Sequence, residues 1–367
     1  MRVLSGVAGL VVVLLTFVSV TQTLVTPRAM RTQLPRAVRR LVRAPYQFLA
    51  DRASTEQLKD RVLAPAAPVS MLILLLLWLS LCVLGYGLLE FAVSDLPFTV
   101  ALREAGSSLL TLGFASQDRS QLTLVDFCAA ATGPILIGLQ IGYLPTLYAA
   151  YARRETEVSL LRVRAGVPAW GPQLLVRHAQ GDLIDTLPEL FRDWERWCAE
   201  VSESHTNYPV LISFRSPSWD RNWLISLLAV LDAAALHLAL NPSVPQSQMR
   251  LTLRAGFTCL RVLADEEKIP YDPDPRPDDP IHLTYEEFVE AVGRLRERGV
   301  PMERSPERAW PHFRGWRVNY ESVAYALACR IDAVPALWSG PRRRDRGPIG
   351  IVTPLDRTPQ QPGGGPG

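Results

Sequence analysis

The side chains able to do chemistry are scattered along this chain. Its five cysteines, Cys82, Cys128, Cys198, Cys259 and Cys329, include no CxxC pair, so neither a zinc site nor a disulfide framework is indicated. His178, His205, His282 and His312 show no ligand spacing. The fifth histidine, His237, lies five residues from Asp232, roughly 140° around a helix, so the two share no face. The stretch Pro270–Pro280 holds five prolines and four aspartates. As a calcium loop it fails: counted from Asp272, Pro277 stands where the loop needs Gly and Leu283 where it needs Glu. It reads as a stiff linker. No nucleophile elbow, HExxH helix, paired-carboxylate signature or Gly-rich nucleotide fingerprint is present. The expectation is therefore no enzyme, no metal site and no cofactor.

What the sequence does specify is apolar. Hydrophobic residues make up 48% and charged residues 20% of 367, with a mean hydropathy of +0.09. A soluble domain averages about 25% charged, and the deficit here is local. Val3–Pro27, Val62–Leu89 and Phe127–Ala152 contain no Asp, Glu, Lys or Arg over 25, 28 and 26 residues. A helix that crosses a bilayer needs roughly 20 apolar residues. These runs exclude a wholly soluble protein, a disordered chain and a secreted disulfide scaffold. The net charge of +3 gives no argument for nucleic acid. All but Lys59 and Lys268 of the 39 basic residues are Arg, which reads as a GC-rich, bacterial genome.

Charge sets the expected topology. The first run follows Arg2 and lacks a clear small-x-small cleavage site near Val18-Ser19-Val20-Thr21, so an uncleaved anchor over residues 1–25 is expected rather than a signal peptide. Residues 26–68 carry nine basic and three acidic side chains. The positive-inside rule places that segment in the cytoplasm, the N-terminus outside, and the C-terminal half inside after Arg153-Arg154 stops the third run. Leu34, Val38, Leu41, Val42 and Tyr46 fall near helical spacing beside Arg36, Arg39, Arg40 and Arg43. This suggests an amphipathic helix on anionic lipid of the inner leaflet; a solvated linker is the alternative. The localisation implied is a bacterial inner membrane.

Between the second and third runs lies a shorter element. Ser94 or Asp95 can cap a helix that Pro97 begins. Leu96–Leu109 would then measure about 21 Å at ~1.5 Å per residue, too short to span, and a length expected of a re-entrant segment. Thr111-Leu112-Gly113-Phe114-Ala115 follows. This arrangement, over residues 69–154, resembles the pore module of the potassium-channel family: outer helix, pore helix, selectivity filter and inner helix. The family filter reads Thr-Val-Gly-Tyr-Gly, often with Phe for Tyr, and its backbone carbonyls replace an ion's hydration shell. The resemblance implies a cation channel, with potassium as the permeating ion and four subunits around one axis. It implies that Thr111 lines the innermost site and that the carbonyls of Leu112, Gly113 and Phe114 line those above, with Gly113 in left-handed geometry. It also offers Gly133 and Gly138 as inner-helix hinges; small-residue helix packing is the other reading of each. Gln140 either faces the pore or bridges helices. The chain departs from the family at Leu110, at Arg103-Glu104 within the pore helix, and at Ala115, where the family has Gly. An Ala at positive φ costs roughly 1 kcal/mol or more. A non-conducting interaction or signalling protein with a degenerate pore fold is the competing class.

The expected fold is α-helical: three transmembrane helices and a re-entrant pore helix, then a mainly α cytoplasmic part. That part divides into residues 155–269, the linker 270–280, residues 281–339 and a disordered Gly/Pro tail, 340–367. Helical patterns recur at Asp185–Ser202, Asp220–Leu240, Gln246–Ala264, Thr284–Arg298 and Tyr320–Val334, with a strand at Tyr208–Phe214. Trp223–Leu240 imitates a span, but Asp232 and His237 interrupt it, so it reads as a buried core helix.

Overall fold

The computed structural model describes residues 2–26, 33–115 and 123–340; the tail beyond Gly340 lies outside them. All regular structure among the described residues is helical. Two compact units are formed, Met1–Arg153 with Glu203–Arg215, and Arg154–Ser202 with Ser216–Gly367.

The first unit contains α1 (Arg2–Leu24), α2 (Gln33–Ala50), α3 (Glu56–Leu63), α4 (Ala66–Val93), α5 (Phe98–Leu109) and α6 (Thr123–Ala165) up to Arg153. Helices α1 and α4 pack antiparallel through their small residues. A Cβ on Gly9 would lie 2.6 Å from the Gly85 carbonyl oxygen, and one on Gly85 would lie 2.7 Å from Val13 Cγ2. Farther along, Trp78 Nε1 donates to Ser19 Oγ at 3.2 Å. In a bilayer apolar helices would gain little from one another by hydrophobicity, and close backbone approach of this kind is what would join them there. The large side chains of α1 that face away, Leu4, Val7, Leu10, Val11, Leu14 and Leu15, remain exposed.

Helix α2 turns Val38 and Val42 into the core beside Leu74, Trp78 and Cys82, and leaves Leu41, Phe48 and Leu49 outward. Leu211 and Phe214 pack with Ala67, Tyr143 and Leu147. The strand expected at Tyr208–Phe214 is instead a 3₁₀ turn, Pro209–Ser213. Pro209 offers no N–H to a ladder, and the backbone satisfies itself locally: Leu211 N–H donates to the Tyr208 carbonyl, and Phe214 N–H to that of Leu211.

The second unit is built around α9 (Trp223–Leu240), every residue of which is buried. Its neighbours are α7 (Gly171–Gln180), α10 (Ser247–Glu267), α12 (Pro306–Arg317) and α13 (Glu321–Arg330); the unit also holds α11 (Tyr285–Glu297), α8 (Leu187–Asn207) as far as Ser202, and α6 from Arg154. Among the described residues four helical stretches are long and apolar enough to cross a membrane, and of these α9 is wholly enclosed by protein. It has no surface left for lipid. It starts at Trp223 because Asn222 caps it, its Oδ1 accepting from Leu224 and Ile225 N–H. α12 escapes a periodicity reading because Pro306 and Pro311 signal breaks, yet Ala309, Phe313 and Arg317 form one buried i, i+4, i+8 stripe.

Candidate functional site

Helix α5 is held where its sequence requires. Pro97 precedes it in extended geometry, and Gly87 of α4 admits Leu102, whose Cα would lie 3.1 Å from a Cβ there. At its other end the carbonyl of Leu109 occupies the place a Cβ on Gly133 would take. Gly133 therefore seats α5 on α6. Gly138 has nothing within 4 Å of its Cβ position and is open for bending or for another helix.

The end of α5 is a Schellman turn. Leu112 N–H donates to the Ser107 carbonyl at 2.8 Å and Thr111 N–H to that of Ser108 at 3.0 Å. Thr111 occupies the left-handed position, φ +52°, and Gly113 follows at +69°. The left-handed geometry expected at Gly113 is present. The strain expected at Ala115 falls instead on Thr111, because closing the helix takes precedence over an extended run. Thr111 Oγ1 donates to the Leu110 carbonyl at 2.8 Å. Ala115 N–H donates to Ser107 Oγ at 3.2 Å, so Ser107 clasps both ends of the loop. Leu112 and Phe114 are each 58% exposed, and the Arg103 guanidinium stands 5.2 Å from the Phe114 ring centre.

Behind this loop lies a cluster that sequence reasoning did not assemble. Ser108 Oγ donates to Asp126 Oδ1 at 2.8 Å. Asp126 opens α6, and with Glu104 of α5 it is a charged neighbour of Glu90 on α4. Glu90 and Glu104 are 0% and 1% exposed. Only Arg103-Glu104, two charges within an otherwise uncharged α5, signalled it. Arg36, Arg39, Arg40 and Arg43 lie on α2, where Arg39 donates to the Pro209 carbonyl at 3.0 Å; that arginine serves the fold as well as any lipid.

The second unit holds a different charge cluster. Arg317, fully buried, pairs with Asp232 and, at 2.8 Å, with Glu321. It also donates to Tyr325 Oη and the Trp338 carbonyl, both at 2.8 Å. Tyr320 Oη donates to Asp232, and the N–H groups of His282 and Leu283 donate to Glu321. Two carboxylates share one cation, and burial pushes Asp232 up to about 6 against the pull of Arg317. Every polar arm of Arg317 is spent on its own unit, which makes this a structural lock between α9, α12, α13 and the segment around Trp338.

No group of three or more His, Cys, Asp or Glu among the described residues is arranged to hold a metal ion. Comparison with protein-family models, curated proteins and solved structures finds no match for this chain.

Proposed function

We propose that this chain is a membrane cation channel of the potassium-channel-like pore-loop type, working as a homotetramer in a bacterial inner membrane. In this reading α1, α4 and the first part of α6 are the three spans, α5 is the re-entrant pore helix, and residues 111–115 supply one quarter of the filter. The observation that carries it is local. A 12-residue helix, too short to cross, ends in an exposed loop with Gly113 at φ +69°, between two helices that are long enough. Four such loops around an axis would offer carbonyl oxygens to a dehydrated cation, potassium by the resemblance of Thr111-Leu112-Gly113-Phe114 to the family filter.

Further support comes from charge. Arg2 at the start of α1 pairs with Asp95 just beyond α4, which puts both on the filter side, away from the basic segment. With that segment inside, the N-terminus is outside and the second unit is cytoplasmic. Leu41, Phe48 and Leu49 of α2 then meet the inner leaflet, with the arginines at the level of anionic headgroups.

One observation favours the second reading, a non-conducting protein that retains the pore fold. Thr111 closes a helix, and its hydroxyl is spent on Leu110. In that case residues 111–115 are a helix cap and not a filter. Mass measurement in native-like lipid tests the first: the channel reading expects a tetramer, and a clean monomer removes it.

A further inference from the structure

Glu90 is the most awkward side chain in the first unit. It is 0% exposed, and among the described residues no side chain donates a hydrogen bond to its carboxylate; the backbone N–H of Ala105 on α5 is a polar group beside it. Its surroundings make this worse. Helix α5 brings Glu104 and α6 brings Asp126, two further carboxylates. From α1, Arg2 is engaged with Asp95, and Arg103 of α5 stands by the Phe114 ring. Tyr86, one turn down α4, is hydrogen-bonded to Thr132 at 2.7 Å. The α2 arginines are remote: Arg39 binds Pro209, in the turn that packs by Ala67, about six turns of α4 away at 3.6 residues per turn.

A buried carboxylate with no side-chain donor, beside like charges, is among the costliest groups a protein can hold. Inside a membrane unit such a group is met by a proton or by a bound cation. A multidentate metal site is not formed here, since the three carboxylates do not converge as ligands. A single proton needs less: it removes the charge of Glu90 and leaves a neutral acid beside the other carboxylates.

We propose that Glu90, with Glu104 and Asp126, is a proton-binding site of the membrane unit. Asp126 also accepts the hydroxyl of Ser108, whose carbonyl holds Thr111 N–H. A consequence, resting on the channel reading, is that loss of the proton disturbs the loop. The charge of Glu90 then lies beside Asp126, and the bond of Asp126 to Ser108 is the first contact to yield.

The test uses the full chain reconstituted in lipid. Infrared difference spectra between native protein and Glu90→Gln at neutral pH should show the carbonyl stretch of a protonated, buried carboxylic acid, sensitive to D₂O and absent from the variant. Asp126→Asn should shift that band, and it serves as the second variant if Glu90→Gln does not fold. Identical native and variant spectra in this region overturn the proposal. Where flux is measurable, it should fall as pH rises, by up to about tenfold per pH unit, the limit for one proton. Glu90→Gln should flatten that profile. A protein that passes no cation fails the channel reading alone, and the infrared band still decides the proton site.

Discussion

The two units each bury carboxylates, and they treat them in opposite ways. In the second unit Asp232 and Glu321 enclose Arg317, and backbone N–H groups, tyrosines and a carbonyl complete the network. In the first unit Glu90 lies beside Glu104 and Asp126, and among the described residues no side chain donates to it. A satisfied network rigidifies a core. An unsatisfied one costs stability and persists only for a reason other than stability. The contrast separates a lock from a candidate working part without any appeal to relatives.

The sharpest way to break this contrast is to turn the lock into the other kind of cluster. Arg317→Met leaves two buried carboxylates without their cation and should cost about 3–5 kcal/mol. Hydrogen exchange of α9 amides in the full chain would report it; unchanged protection would mean that Arg317 is not what holds α9, α12 and α13 together.

The next effect is a pH dependence. With Asp232 pushed up to about 6 in the folded unit from an ordinary 3.8, the native state binds this proton more tightly than the unfolded chain does. The stability linked to it is present below pH 4 and is lost as pH rises through about 6, about 3 kcal/mol at most. Native protein minus Asp232→Asn should show that slope in α9 exchange between pH 4 and 7, and a flat difference would remove the assignment.

In the first unit, stability resides in backbone approach rather than in ion pairs. Gly9→Leu forces a side chain into the Gly85 carbonyl and should cost about 1–3 kcal/mol, read as easier detergent unfolding of α1 from α4. The smallest effect is expected at Glu90→Gln. It removes no ion pair among the described residues, so the stability of the first unit should change by less than about 1 kcal/mol or rise. A loss as large as that of Arg317→Met would erase the distinction between the clusters.

Much of this was legible in the residues. The uncharged runs announced α1, α4 and the first part of α6, Pro97 began α5, and Asp232 within an apolar run marked α9 as enclosed by protein. Other features were hidden by physics that a linear reading does not carry. Pro306 and Pro311 masked α12, whose helix is enforced by the buried Ala309–Phe313–Arg317 stripe. Pro209-Val210-Leu211-Ile212 has strand propensity but packs on helices, so it coils. Thr111 gave no sign that it would close α5, because the Schellman turn depends on backbone acceptors at Ser107 and Ser108. The Glu90 cluster needed three elements brought together, and residues 90, 104 and 126 share no local pattern.

The central claim is that cations pass the backbone of residues 111–115. The direct measurement is cation flux through the reconstituted full chain under potassium and sodium gradients, for the native protein and Gly113→Val. At φ +69° a β-branched side chain is strongly resisted, while nothing lies within 4 Å to clash with its Cβ, so the variant should insert and assemble normally. Potassium-preferring flux is expected from the native protein and none from the variant. Equal flux in both, or no flux from the native chain in any cation gradient, would contradict it.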